Sequence, residues 1–259
     1  MKTKRLGPLA AFALLVVGSL AFARAPAGDP AQELKDLREK RDSAMTEWEG
    51  RMRTAKSQEE GMKLWEARPG PEFLAGFKAI AIEAKGTETA GQAWVEVFDL
   101  AGDLGQQADA KLAVEAIVAD HVASPDLAGF AGALGYMSRM IGKETAVSAL
   151  EALIEKSPHK TVQAPALFSL GSTLTEQGSA EEKAAGRKAF ERLIADFADV
   201  KPKRGGPYAE RAKAYLFEID HLQVGMAAPD FESIDENGQK FKVSDYKGKV
   251  VVLDFWGNW

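Results

Sequence analysis

The residue types that most often do chemistry are sparse in this chain. It holds no cysteine and three histidines among 259 residues. Without cysteine, the chain as written has no internal disulfide, no cysteine-bearing zinc site, no lipid attachment through a thiol and no thiol catalysis. His121, His159 and His221 are scattered, with no second ligand at metal-binding spacing, and each reads as a surface or satisfied core histidine. Acidic pairs such as Glu59-Glu60 and Glu181-Glu182 read as solvated helix faces or helix-start charges. No catalytic, cofactor-binding or metal-binding group is expected from these residues. What stands out chemically is an aromatic group near the C-terminus, Phe255, Trp256 and Trp259, set directly after an apolar run.

That run is Val250-Val251-Val252-Leu253-Asp254-Phe255, which has no helical spacing and reads as a strand buried on both faces. The segment before it changes composition sharply. Ala228 is the last alanine, and the chain's two asparagines, Asn237 and Asn258, both follow it. Phe231 to Ile234 and Lys240 to Val243 read as two short strands, with Phe241 and Val243 on one face. Asp235-Glu236-Asn237-Gly238 between them is a hairpin signal. Ser244-Asp245-Tyr246 and Lys247-Gly248-Lys249 make the next turn. A domain boundary is placed near Gln223.

These residues carry a family resemblance. Val224-Gly225-Met226-Ala227-Ala228-Pro229-Asp230-Phe231 resembles the opening of a redoxin domain of the TlpA-like and AhpC/TSA-like kind. The likeness continues through Asp235, Gly238, Val243 to Lys249 and is sharpest at Val250 to Trp259. In that family Phe-Trp-x-x-Trp leads directly into Cys-x-x-Cys. Phe255, Trp256 and Trp259 match this approach, and Gly257 stands where Ala is commoner. Peroxiredoxins tend instead to a Phe-Tyr-Pro approach. The resemblance therefore implies an exported thiol-disulfide oxidoreductase of the thioredoxin-like type in the full-length form, without a cofactor, acting on a protein disulfide substrate or redox partner. Its alternatives are a thiol peroxidase of the AhpC/TSA type and a non-enzymatic helical scaffold with a vestigial redoxin tail. In such enzymes a thiolate at a helix N-terminus attacks a substrate disulfide and a second cysteine resolves the mixed disulfide. The chain as written has neither cysteine, so three origins of its end are expected to compete: a fragment, a frameshift, and a selenocysteine codon read as stop. Val250, Val251, Val252, Leu253 and Phe255 would each contribute about 1.5–3 kcal/mol on full burial. With neighbouring strands missing, this tail is expected to be poorly ordered or aggregation-prone.

The middle of the chain must carry whatever else the protein does. From Pro30 to Leu222 it is rich in Ala, Glu, Lys and Leu, and contains no Asn. Helical periodicity predicts a charged helix from Leu34 past Trp48 toward Lys63, ended by Pro69-Gly70-Pro71. Helices follow around Phe73 to Ala84, around Trp94 to Ala101, and over 110–121, 127–141, 143–156, 161–177, 180–197 and 208–222. Trp48, Trp65 and Trp94 fall on apolar stripes and read as core anchors. Helix pairs recurring every roughly 35 to 40 residues suggest an α-solenoid. Ala146, Ala149, Leu150 and Leu153, then Pro158, then Ala166, Leu170, Gly171, Leu174 and Gly178 resemble a tetratricopeptide repeat. The other reading is an irregular helical bundle. The expected fold class is thus mainly α, a helical domain followed by the first β-elements of an incomplete α/β thioredoxin-like fold. A protein partner on the helical domain is expected, and its chemistry is not indicated.

The N-terminus sets the compartment. Lys2, Lys4 and Arg5 precede an apolar stretch from Leu6 to Ala23 that ends in Ala21-Phe22-Ala23, a pattern signal peptidases accept. An uncleaved anchor is the other reading, since the run is near the lower length for spanning a bilayer. Residues 1–23 are expected to be a signal peptide, 24–29 a linker, 30–222 the helical domain and 223–259 the incomplete redoxin part. The product is then exported, to the periplasm or cell exterior, touching membrane only before cleavage. The net charge is −5, falling to about −8 once the three leader cations are removed. That acidic balance argues against a nucleic-acid partner. With 46% hydrophobic and 27% charged residues, broad disorder is excluded. N-terminal sequencing of exported protein should begin at Arg24; material beginning at Met1, or held wholly in membranes, contradicts the leader assignment.

Overall fold

A computed structural model describes residues 28–203 and 205–254. Ten α-helices come first: α1 Pro30–Arg53, α2 Gln58–Glu66, α3 Pro71–Glu83, α4 Glu88–Asp103, α5 Gln107–Ala116, α6 Ala128–Ile141, α7 Lys143–Lys156, α8 Lys160–Gln177, α9 Ala180–Asp196 and α10 Tyr208–His221. A π turn over Ile117–His121 extends α5, and a 3-10 turn, Pro125–Leu127, leads into α6. Two short strands follow, β1 Glu232–Ile234 and β2 Lys240–Lys242, then a 3-10 turn over Val243–Tyr246. Mainly α with the first β-elements of a thioredoxin-like fold describes this order. Among the described residues no helix is long and apolar enough to cross a membrane. The leader assignment lies outside them.

Local chemistry explains most helix ends. Pro30 and Pro71 occupy first-turn positions, where a missing N–H costs nothing. Asp29, Ser57, Thr87 and Ser179 each accept a hydrogen bond from an otherwise orphaned N–H. Ser179 and Glu182 form a full capping box, at 3.3 and 2.7 Å. Glu182 also takes a hydrogen bond from Lys143 at 2.6 Å, and that contact, with the Ser179 amide, holds its carboxyl below the usual range. α6 passes to α7 through Gly142 alone, whose φ of +93° only glycine adopts without strain.

The expected long first helix is two helices. It stops at Arg53 and restarts at Gln58, because the Thr54 hydroxyl bonds back to Gly50 and Arg51 carbonyls while Ser57 caps α2. Of the three tryptophans expected in the core, Trp94 is buried and Trp48 half-buried, but Trp65 is 59% exposed. α2 buries only Leu64, so the Trp65 ring instead packs on Trp48 at 5.8 Å, with the Arg68 guanidinium 5.6 Å from each.

α8 is the centre of the helical stack. Residues on every side of it are buried, from Val162 to Leu174, as expected of a helix with neighbours all round. It packs against α6, α7, α9 and α10. Gly171 on α8 faces Gly186 on α9, and the Phe190 ring fills the gap beside them. Phe168, Phe190 and Tyr215 stack at 5.1–5.8 Å and so join α8, α9 and α10. On the other side Phe98 and Phe130 meet edge to face at 4.8 Å, joining α4 to α6.

Side-chain hydrogen bonds joining the helices and their connecting turns recur at separations of 33 to 39 residues. Lys160 reaches the Asp196 carbonyl at 3.2 Å, and Arg187 clasps Asp220 through two nitrogens at 2.6 and 3.0 Å. α3, α5, α7 and α9 begin about 36 residues apart, a helical-repeat period. α4, α6, α8 and α10 make the alternate series, each in contact with the next.

The Gly171 contact gives a direct test. A Cβ there would lie 2.5–2.8 Å from Phe190 ring carbons, so Gly171→Ala must push α8 and α9 apart. Overpacking of that kind costs about 1–3 kcal/mol, and urea unfolding should show a loss of that size. An unchanged midpoint would show that the helices are not in close contact.

Candidate functional site

The sequence-predicted approach residues, Phe255, Trp256 and Trp259, lie outside the described residues. The structure does describe the segment that precedes them. It places the aspartate of the Pro229-Asp230-Phe231 opening at the junction of the strands and the following turn. Asp230 Oδ1 accepts from the Ser244 N–H at 2.9 Å, and Oδ2 accepts from the Ser244 hydroxyl at 2.7 Å. The Val243 N–H reaches the Phe231 carbonyl at 3.3 Å. Residues fourteen apart in sequence are thereby tied at both main chain and side chain. These Ser244 bonds hold the Asp230 carboxyl below its ordinary value of 3.8.

The hairpin itself is built as the sequence suggests. β1 and β2 are antiparallel, pairing Glu232 with Lys242, Ser233 with Phe241 and Ile234 with Lys240. Glu232 and Lys242 form an ion pair at 2.8 Å across the ladder. The loop closes on Asp235, whose Oδ1 accepts from the Asn237 and Gln239 amides at 2.9 and 2.8 Å. Gly238, with φ of +78°, takes the left-handed place that ends such a loop. Val243 leaves the expected strand and joins the 3-10 turn, because Asp245 accepts from the Lys242 N–H at 2.9 Å and bends the chain there. Phe241 and Tyr246 then meet edge to face at 6.1 Å, and Lys249 lies over the Tyr246 ring at 5.8 Å.

The expected buried strand is not formed over its described part. Val250 to Asp254 carries no strand, and Val250 and Val252 are 95% and 85% exposed. A central strand is held by hydrogen bonds to neighbours on both edges, and among the described residues no strand lies beside it.

The three histidines are spread over the helical part. His121 is buried beside Gly91, and burial lowers its pKa. His159 pairs with the Ala123 carbonyl at 3.0 Å, and His221 packs on Phe217 at 4.7 Å. Among the described residues no group of three histidine, aspartate or glutamate side chains is placed to hold a metal ion. Sequence reading missed Asp230 and Ser244 as partners. Asp230 is exposed, so its carboxylate could be met by water alone, and no local pattern in the sequence points to Ser244 as its donor.

Comparison with known proteins places this segment. A model of the AhpC/TSA family matches residues 224–259. A protein named thiol-disulfide oxidoreductase ResA from Geobacillus kaustophilus is 53% identical over 45 residues, covering 17% of this chain and 26% of that relative. The proteins of that name from Bacillus thuringiensis subsp. konkukian and Bacillus subtilis are 38% identical over 47 residues and 45% over 40. Those matches cover 18% and 15% of this chain, and 27% and 22% of the relatives. The chain thus spans about a quarter of the length of the curated relatives it matches. No solved structure matches it. Over residues 224–259 the chain is thus similar to the AhpC/TSA family.

The Asp230–Ser244 clamp makes a testable prediction. A carboxyl whose pKa is depressed by folding contributes stability above its ordinary value, and that contribution is lost as pH falls through the folded value. Asp230→Ala at neutral pH should lower the protection factors of the Ser244 and Val243 amides, and acidifying the parent protein through the depressed Asp230 value should lower the same protection factors, each taken against the intrinsic exchange rate at that pH. The helical melting transition should stay within about 0.5 kcal/mol, as for a surface change. Equal exchange at Ser244 in parent and variant contradicts the clamp.

Proposed function

We propose that the full-length protein is an exported thiol-disulfide oxidoreductase of the TlpA-like kind, in which a helical unit over residues 30–222 precedes a redoxin domain beginning near residue 223. The observation that carries the reading is the ordered match over 224–259, from the Pro229-Asp230-Phe231 opening to the Phe255-Trp256 and Trp259 approach. The named relatives are thiol-disulfide oxidoreductases. In this reading the substrate is a protein disulfide, attacked by a chalcogen nucleophile encoded after Trp259, which is cysteine or selenocysteine. The nucleophile bonds to one substrate sulfur while the substrate S–S bond breaks and the other sulfur leaves as thiolate; a second cysteine then attacks the nucleophile's chalcogen, closing an enzyme disulfide or selenenyl sulfide and releasing the remaining substrate thiolate. The alternating helices and their 33-to-39-residue hydrogen-bond spacing support a tetratricopeptide-like unit that holds a partner protein. The leader over residues 1–23 supports export, and net acidity supports a protein over a nucleic-acid partner.

Peroxide reduction is the second reading, favoured by the AhpC/TSA family match. One experiment separates the two. The reading frame is extended through the codons after Trp259 and the purified product is assayed for insulin disulfide reduction and for peroxide consumption with a dithiol donor. Disulfide reduction well above peroxide consumption is expected, and the 259-residue chain, having no thiol, should do neither. Faster peroxide turnover, or no thiol activity in the extended product, overturns the reading.

A further inference from the structure

Among the described residues, His121 is the only titratable side chain in the buried set, at 9% exposure. It closes the π turn Ile117–His121 that extends α5. Turns of that kind are rare in helices and gather where a side chain has a special task. The ring lies against Gly91 of α4, where an added Cβ would stand 3.0 Å from Nδ1 and 3.1 Å from Cγ. Glycine inside a helix weakens it, so α4 gives up some of its own stability to seat this ring. Among the described residues no hydrogen bond reaches the ring nitrogens. A neutral imidazole tolerates that seat, whereas an imidazolium carries a charge and two N–H donors that the seat leaves unmet.

The charged groups around the seat do little to offset this. Asp120 precedes the ring on the same turn and is exposed. On α4, Glu88 is exposed and accepts from Gln92 at 3.2 Å, and Gln92 also reaches Asp126 at 3.4 Å. The other helices against the turn, α5 and α7, bury apolar residues alone. Of their charged groups, Lys111 is half-buried, Asp109 and Lys143 pair with Lys78 and Glu182, and the rest are exposed. Burial therefore holds the ring below its ordinary 6.5, with Asp120 pulling the other way. On the far side of the turn the His159 ring meets the Ala123 carbonyl at 3.0 Å, a bond that a protonated ring keeps as donor.

We infer that the His121 seat is an acid-sensitive latch: the neutral ring holds the π turn to α4, and protonation frees it from Gly91 and loosens α4 from the α5–α6 connection, which His159 keeps tied at Ala123. The sign follows from proton binding. A released ring takes a proton at its ordinary value and a seated one only below it, so opening grows as pH falls between the two. Above 6.5 the latch is closed and indifferent to pH. Asp99, also on α4, is pushed up to about 6 and so works in the opposite direction over the same range. Its share is common to parent and His121 variants and drops out of their comparison. The latch uses helical residues only and stands apart from the redoxin reading.

The test uses the full chain, with NMR titration of the imidazole C–H signals and site-resolved amide exchange, each protection factor taken against the intrinsic rate at that pH. The His121 ring should titrate below 6.5 in the parent, and Gly91→Ala, which fills the seat, should return it to that value. As pH falls below 6.5, the protection factors of the amides of Gly91 to Val95 and Ile117 to His121 should drop about tenfold per pH unit down to the seated value. Those of Leu167 to Leu174 should hold. His121→Phe and His121→Asn, neither of which takes a proton, should each abolish the drop, and these two carry the test if Gly91→Ala does not fold. A parent ring titrating at or above 6.5, an unchanged titration in folded Gly91→Ala, the same drop in the His121 variants as in the parent, or an equal drop across α8 would each overturn the inference.

Discussion

The helical stack depends on one close approach, that of α8 to α9 at Gly171 and Gly186. Two helices can come this near only where neither carries a side chain, and the Phe190 ring then closes the space beside them. From that contact the rest follows outward. Phe190 meets Phe168 and Tyr215, which sets α10 against the pair. The opposite side of α8 receives α6, where the Ser169 hydroxyl reaches the Gly132 carbonyl at 3.2 Å. Phe98 and Phe130 carry the packing on to α4. α8 touches α6, α7, α9 and α10, so its best-packed junction governs how firmly the flanking helices are held.

The segment after α10 is held by a different kind of interaction. Its hairpin is ordered by carboxylates that accept from nearby amides: Asp230 from Ser244, Asp235 from the loop, Asp245 from Lys242. Apolar burial contributes little there, since Phe231, Ile234 and Val250 to Leu253 are exposed. The two parts thus rest on different physics, aromatic and small-residue packing in one and local polar closure in the other. Asp230, Phe231 and Ser244, which lie in the family-like segment, have a structural use that is independent of any redox group.

Much of this was legible in the residues themselves. The helix expected over 143–156 occupies those bounds, with Ser157-Pro158 after it as a plain stop. The break at Thr54 to Ser57 carries neither Gly nor Pro, and its only signal was Ser57 three residues before Glu60, a capping pattern inside an otherwise helical run. Trp65 follows an apolar stripe in sequence but belongs to a nine-residue helix too short to bury it. Val250 to Asp254 reads as a strand from composition alone, whereas a strand is a property of its neighbours. The peroxidase and exchange chemistries were separable only through the family likeness of the last residues, since helical periodicity is silent on both.

The α8–α9 junction holds the helical stack together, while the segment after α10 is closed by local polar contacts. Site-resolved amide hydrogen exchange on the full chain at neutral pH tests both statements at once. The slowest exchange is expected in α8, around Leu167 to Leu174, with slower exchange in α9 than in α10. The amides of Val250 to Asp254 should exchange near the unprotected rate. Protection of Val251 to Leu253 equal to that of α8 would contradict this, as would a maximum of protection lying in α1 or α2.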